Sequence, residues 1–298
     1  MSTNLPQQCL KNINRLKCDR THGAGWLTRQ ALSIVKTAVQ KSTVTTIDRL
    51  SKNLHAILEA LTNVRTDMVS IANYIMQFRE ELPAMFSQGK TLEEVKSLCI
   101  NRIEQMIKYS KKSSSLAAQN AAGIIGNRIV VITCSYSSAV CSALKIAHKK
   151  NDFKVLVIES LFNKVSYGKL TADSLQQAGI VTQLVPDGQI RWQIARADQV
   201  LLGADSISLH GYFINGMPSL ELVKIARHRN IPVYLICELS KIDIHGILTG
   251  LHEPEPGFDM IPLELVTAIV TDKETLKPED VYQLRKENIF RDHDDGTL

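Results

Sequence analysis

The feature that most constrains this chain's fold is a change of grammar at Asn127, after roughly 120 residues with no segment of buried-strand character. Apolar, β-branched runs then alternate with helical spacings. Ile129–Thr133, Lys154–Ile158, Val181–Val185, Gln199–Leu202, Val233–Ile236 and Ala268–Thr271 read as strands. Ala139–His148, Lys169–Ala178, Ile190–Ala197, Ser219–His228 and Pro278–Arg285 read as helices. This alternation predicts a mostly parallel sheet covered by helices on both faces. The expected architecture is therefore α/β, with an all-helical domain over residues 1–123 and the sheet-bearing domain over 124–298.

Within the first half, Met1–Arg20 is polar and partly helical at most. Trp26, Leu27, Ala31, Ile34, Val35 and Ala38 make an apolar stripe at helical spacing. Thr43–Leu61 predicts a second helix, Met68–Phe78 a third that Pro83 closes, and Leu92 to about Ile125 a long fourth with a small-residue tail. Thr21–Gly25, with two glycines ahead of the Trp26 stripe, is either an anion-binding turn or an ordinary helix start, and spacing alone favours the ordinary start.

Composition removes several function classes. A net charge of +5 over 298 residues is mild, and no basic block is interleaved with aromatics, so direct nucleic-acid binding is not expected. Lys108–Lys112 is the densest basic cluster and reads as a solvated helix face. The six cysteines, at 9, 18, 99, 134, 141 and 237, show no metal-ligand spacing, so no metal site is expected and reduced thiols in a cytoplasmic setting are. No apolar signal region opens the chain and no long apolar window follows, so neither a leader nor a membrane span is expected.

Polar residues fall in a pattern. Cys134, Glu159, Asp205, Glu238 and Lys241 each come at or just beyond the carboxyl end of a separate expected strand. In a parallel sheet those ends share one edge, where ligands bind. Cys134 stands at a strand–helix junction beside Ser135–Ser138, as a candidate acid/base or nucleophile or, alternatively, as a buried inert cysteine. Each carboxylate is either a site residue or a helix cap. The turn after the first strand contains no glycine, which excludes the dinucleotide fingerprint, and no Walker sequence is present.

Val-Leu-Leu-Gly-Ala-Asp-Ser-Ile at 200–207, Gly211 with Ile214-Asn215, Arg-Asn-Ile-Pro-Val-Tyr at 229–234, Phe258-Asp259, and the run from Pro262 to Asp272 carry a resemblance. They resemble the family that joins the α, β and δ subunits of translation initiation factor 2B with methylthioribose-1-phosphate isomerase and ribose-1,5-bisphosphate isomerase. Thr21-His-Gly-Ala-Gly-Trp and Val64-Arg-Thr-Asp-Met-Val-Ser extend the resemblance into the first half. The resemblance implies a Rossmann-like second domain and isomerisation of a sugar 1-phosphate without metal or organic cofactor. It implies Cys134 as catalytic cysteine and Asp205 as partner acid. Arg65, the backbone of Gly23, Ala24 and Gly25, and Tyr136, Ser137 and Ser138 would hold phosphate, and Asn215 and Lys241 would contact the sugar or its phosphate. A thiol near a helix N-terminus can exchange a carbon-bound proton while a carboxyl moves protons between oxygens.

The departures from the family pattern all subtract charge. His22 stands where the family turn has arginine, Gly216 where a lysine follows Asn215, and Leu161 where an arginine follows the second strand. A bisphosphate carrying roughly four negative charges would be poorly neutralised unless Lys164 or Lys169, in the loop and helix after Phe162, supplies replacement charge. Two readings follow. The first is a sugar-phosphate-binding protein acting as an aldose–ketose isomerase on a pentose or related sugar 1-phosphate. The second is a non-catalytic regulatory or assembly protein with a sensing or vestigial pocket. Under either, the resemblance implies a homodimer or higher homo-oligomer, through a surface that includes Phe258–Thr271.

Overall fold

A computed structural model describes residues 7–249 and 253–284. The readings of Met1–Pro6 and Arg285 lie outside the described residues. The chain forms two compact units, Met1–Lys112 and Ser113–Leu298.

In the first unit, α1 (Gln7–Cys18), α2 (Ala24–Gln40), α3 (Ile47–Thr62) and α4 (Val69–Met85) are followed by α5 (Leu92–Ala122), within which the units divide. The core takes one stripe of α2 (Leu27, Leu32, Val35) and of α3 (Leu54, Leu58, Leu61), while α4 is buried on all sides from Val69 to Ile75 and continues with Phe78 and Leu82. The starts of α3 and α5 are capped by side chains, whereas those of α2 and α4 are not. Thr46 accepts from Arg49 N, and Thr91 and Glu94 form a reciprocal box, with Thr91 N on Glu94 Oε2 at 2.7 Å and Glu94 N on Thr91 Oγ1 at 3.3 Å. Pro83 does not close α4, which runs on to Met85. Proline removes one donor there, in the last turn, while Phe78 and Leu82 remain buried.

The second unit is organised by a seven-stranded sheet. Its parallel strands are β1 (Val130–Cys134), β2 (Lys154–Ile158), β5 (Val181–Val185), β6 (Gln199–Gly203), β9 (Val233–Ile236) and β11 (Ala268–Val270), and β12 (Thr275–Leu276) adds an antiparallel edge. The spatial order is β12-β11-β9-β6-β1-β2-β5. Counted over its parallel strands this is the Rossmann order 3-2-1-4-5-6. Alternate residues divide the core: Val131, Val155, Val157 and Leu201 face α6 (Ser138–Ala147), α7 (Tyr167–Gln176) and the end of α5, while Ile132, Leu156, Ile158, Val200 and Leu202 face the other cluster with α9 (Ser219–His228).

Elements absent from the sequence reading frame the carboxyl edge. A hairpin of β3 (Leu161–Phe162) and β4 (Val165–Ser166) follows β2, and β7 (Ser206–Ser208), β8 (Tyr212–Gly216) and β10 (Phe258–Pro262) form a separate antiparallel sheet in the order β10-β8-β7. The expected helix over 190–197 is one short α-turn, α8 (Ile190–Gln193), flanked by 3₁₀ turns, and Pro278–Gln283 is likewise 3₁₀. No described helix is long and apolar enough to cross a membrane.

The tightest joint lies where α7 begins. A Cβ on Gly168 would stand 2.8 Å from the carbonyl carbon of Ile158 and 2.9 Å from Glu159 Cα, both backbone atoms that cannot rotate aside. Gly168→Ala should therefore lower stability by about 1–3 kcal/mol, read as a fall in thermal midpoint. An unchanged midpoint would show that the β2–α7 joint yields.

Candidate functional site

The switch point of the sheet lies between β1 and β6, from which the strand order runs outward in both directions. Four segments meet near it: the turn Ser135–Ser137 after β1, Ser160 after β2, Gly203–Asp205 at the end of β6, and Gly216–Ser219 between β8 and α9. Two glycines permit the approach. A Cβ on Gly203 would stand 2.7 Å from Ser137 Cβ, and one on Gly216 would stand 2.9 Å from Ser135 Cβ. Ser137 also caps α6, accepting from Val140 N at 3.4 Å, and Ser138 is exposed beside it. Tyr136 is half-buried, and burial pushes its hydroxyl above the ordinary value.

Cys134 is 1% exposed and packs in the core with Ile132, Ile158 and Leu202. Burial pushes its thiol up to about 12; Ser219 and Ser160 hydroxyls lower it, and the Asp187 and Asp259 carboxylates raise it. At neutral pH the thiol is protonated. Asp205 is half-buried and acts on Lys241, and its own N–H donates to Ile214 O at 2.8 Å. Cys134 and Asp205 thus share one edge through adjacent strands, with different immediate partners.

The remaining residues expected at this edge serve the framework. Asn215 is 5% exposed and donates through Nδ2 to Ser219 Oγ at 2.8 Å; Ser219 Oγ donates in turn to Gly216 O at 2.7 Å. Leu220 N at the start of α9 donates to Asp259 Oδ2 at 2.9 Å. Lys241 is buried, with Nζ on Ala204 O at 2.7 Å and 3.4 Å from Glu238 Oε2. Burial lowers the Lys241 pKa, but Glu238, Asp205 and Cys237 outweigh it and hold it above the ordinary value. Burial likewise raises Glu238, which Lys241 and the Ser114 hydroxyl bring below the usual carboxylate range. Glu159 is held through its backbone, its N–H donating to Val185 O at 2.8 Å. Leu161 is exposed, its N–H donating to Asp187 Oδ2 at 3.0 Å. Ser160, Ser219, Asp187 and Asp259 are the neighbours of Cys134 that the sequence reading missed; only Asp259 carried a signal, within the Phe258-Asp259 pair.

The residues expected from the first half stand in the helical unit. His22 Nδ1 lies 2.9 Å from Asp19 Oδ2, and the imidazole stacks on Trp26 with centroids 3.7 Å apart. Burial raises the Asp19 carboxyl, but the N–H groups of Thr21 and His22 and the His22 ring hold it below the ordinary value. Gly23 is the N-cap of α2 in extended conformation, Ala24 is buried, and Gly25 lies in the first turn of the helix. Arg65 is 2% exposed and donates through Nη1 to Asp19 O at 2.7 Å, bracing the same turn.

The doubly wound sheet, with its hydroxyl-rich switch-point edge, makes the second unit an α/β fold of the Rossmann type. Residues 20–248 match the Initiation factor 2 subunit family, and the chain belongs to it. The chain is 25% identical over 306 residues to ribose 1,5-bisphosphate isomerase of Thermococcus kodakarensis, covering 94% of each. It is 26% identical over 276 residues to translation initiation factor eIF2B subunit alpha of Caenorhabditis elegans, covering 84% of this chain and 90% of that one. The solved translation initiation factor eIF-2B of Pyrococcus horikoshii OT3 shares the fold with a TM-score of 0.79 at 23% identity, over 93% of this chain and all (100%) of that one.

The Lys241–Glu238 pair sets a stability test. Lys241→Met leaves Glu238 buried beside no cation and should cost about 3–5 kcal/mol, whereas Lys241→Met with Glu238→Gln should recover much of it. Because Glu238 is held below its ordinary range, its contribution is present above the unfolded carboxylate pKa and is lost as pH falls through the folded value. Equal losses in the single and double variants, read by denaturant unfolding, would remove the pair from this role.

Proposed function

We propose that this chain binds a singly phosphorylated sugar of the pentose 1-phosphate class at the carboxyl edge of its sheet, with the phosphate at the Tyr136–Ser138 turn and the N-terminus of α6. The observation that carries this reading is the edge's chemistry. It offers hydroxyls and backbone N–H groups, while Lys241 is committed to Ala204 O and Glu238. One phosphate suits the end of a ten-residue helix; a second would find little cationic support there. The relative named for ribose 1,5-bisphosphate supports the ligand class.

A second reading adds catalysis. Cys134 would move a carbon-bound proton and Asp205 a proton between neighbouring oxygens, completing an aldose–ketose isomerisation. Their positions after adjacent strands β1 and β6 favour it. The burial of Cys134 favours binding without turnover, because a thiol pushed up to about 12 presents almost no thiolate at neutral pH to take a carbon-bound proton. The binding reading therefore comes first.

Thermal shift separates the possibilities. Ribose 1-phosphate at a hundred times its dissociation constant should stabilise the protein by about 2.7 kcal/mol, and ribose 1,5-bisphosphate at equal concentration by less. No shift with any phosphopentose would overturn the reading, and a larger shift with the bisphosphate would overturn the charge argument. Should turnover be measured, Cys134→Ser and Asp205→Asn should each abolish it with ligand affinity largely kept. Parallel loss of affinity would assign both to recognition.

We also propose a homodimer joined through the second unit, with β10 contributing because it is an edge strand of the β10-β8-β7 sheet. Light scattering at micromolar concentration should give about twice the 33.2 kDa chain mass. A mass of one chain would refute the dimer.

A further inference from the structure

Two serines stand in the left-handed backbone region at the ends of neighbouring strands, Ser135 at φ 63° after β1 and Ser160 at φ 52° after β2. Glycine adopts that region freely and serine does not. Both serines are buried, at 9% and 2% exposure, and both approach the same backbone position: a Cβ on Gly216 would lie 2.9 Å from Ser135 Cβ and 3.9 Å from Ser160 Oγ. Their hydroxyls have different fates. Ser160 Oγ donates to Met217 O and so ties the end of β2 to the turn before α9. The Ser135 hydroxyl makes no hydrogen bond among the described residues. Its backbone is nevertheless fixed, because Thr171 Oγ1 of α7 donates to Ser135 O at 2.8 Å.

A glycine at 135 would suit the turn better, and the serine hydroxyl bonds nothing in the framework. A residue held against its conformational preference at a ligand edge points to use rather than architecture. We propose that Ser135 is a ligand-binding residue whose hydroxyl takes an uncharged oxygen of the bound sugar, a hydroxyl or carbonyl, and that residue 216 is glycine to leave room for it. This rests on the sugar-phosphate reading above and deepens it. The phosphate lies at the Tyr136–Ser138 turn, and the Ser135 subsite receives the neutral, polyol part of the molecule.

Ser135→Gly and Ser135→Ala separate use from architecture, measured by thermal unfolding of the full chain and by calorimetric titration with ribose 1-phosphate. Ser135→Gly should raise the thermal midpoint by about 2–4 °C, through relief of the left-handed conformation, while weakening ribose 1-phosphate about tenfold. Ser135→Ala should weaken binding equally and leave the midpoint unraised, since alanine keeps the unfavourable φ. A fall in midpoint for Ser135→Gly, or unchanged affinity in both variants, would overturn the inference. If the parent protein binds no phosphopentose, the proposed function fails, while a raised midpoint for Ser135→Gly would still support a serine kept for a ligand.

Discussion

The carboxyl edge of this sheet depends on the buried ammonium of Lys241. Its bond to Ala204 O fixes the backbone just past β6, and its attraction to Glu238 fixes the 3₁₀ turn after β9. A buried ammonium without such partners would lose its charge or open the fold. With them, one cation holds the ends of two neighbouring strands together. The same commitment leaves hydroxyls and backbone N–H groups to characterise the edge, and the proposed preference for a singly phosphorylated sugar starts from that.

Close approach by small residues supplies the second constraint. Gly203 admits Ser137, Gly216 admits Ser135, and Gly168 lets α7 begin against the end of β2. These contacts bring serines from separate segments around the switch point. A side chain at position 216 would collide with Ser135. A lysine there would need Ser135 to move, so the two positions are coupled.

The six parallel strands were legible in the sequence as short apolar runs between turn signals, the five inner ones covered on both faces and β5 at the edge leaving Val181 exposed. The β7-β8-β10 sheet was not, since Ser206–Ser208 is too short for a pattern and Tyr212–Gly216 and Phe258–Pro262 carry Asn, Gly, Asp and Pro among their apolar residues. Pro83 read as a helix end, yet buried Phe78 and Leu82 carry α4 past it. At the site, the edge and the residue types were legible from position after each strand. Side-chain direction was not. Successive residues of a strand alternate in direction, so Cys134 turns into the core, and the left-handed conformation of Ser135 has no signature in a non-glycine sequence. The neighbour of Asp205 was equally hidden: its charge helps hold Lys241 protonated, which no spacing in the sequence announces.

The central claim is that ligand binds at the switch point between β1 and β6, through hydroxyls and backbone N–H groups. Hydrogen–deuterium exchange with and without ribose 1-phosphate tests it most directly. Ligand-dependent protection is expected at the amides of Ser135–Ala139 and of Gly203–Asp205 in the second unit, with little change in β5 and β12 at the far ends of the sheet. Protection spread evenly over the sheet, or absent from the turn after β1 under saturating ligand, would contradict it.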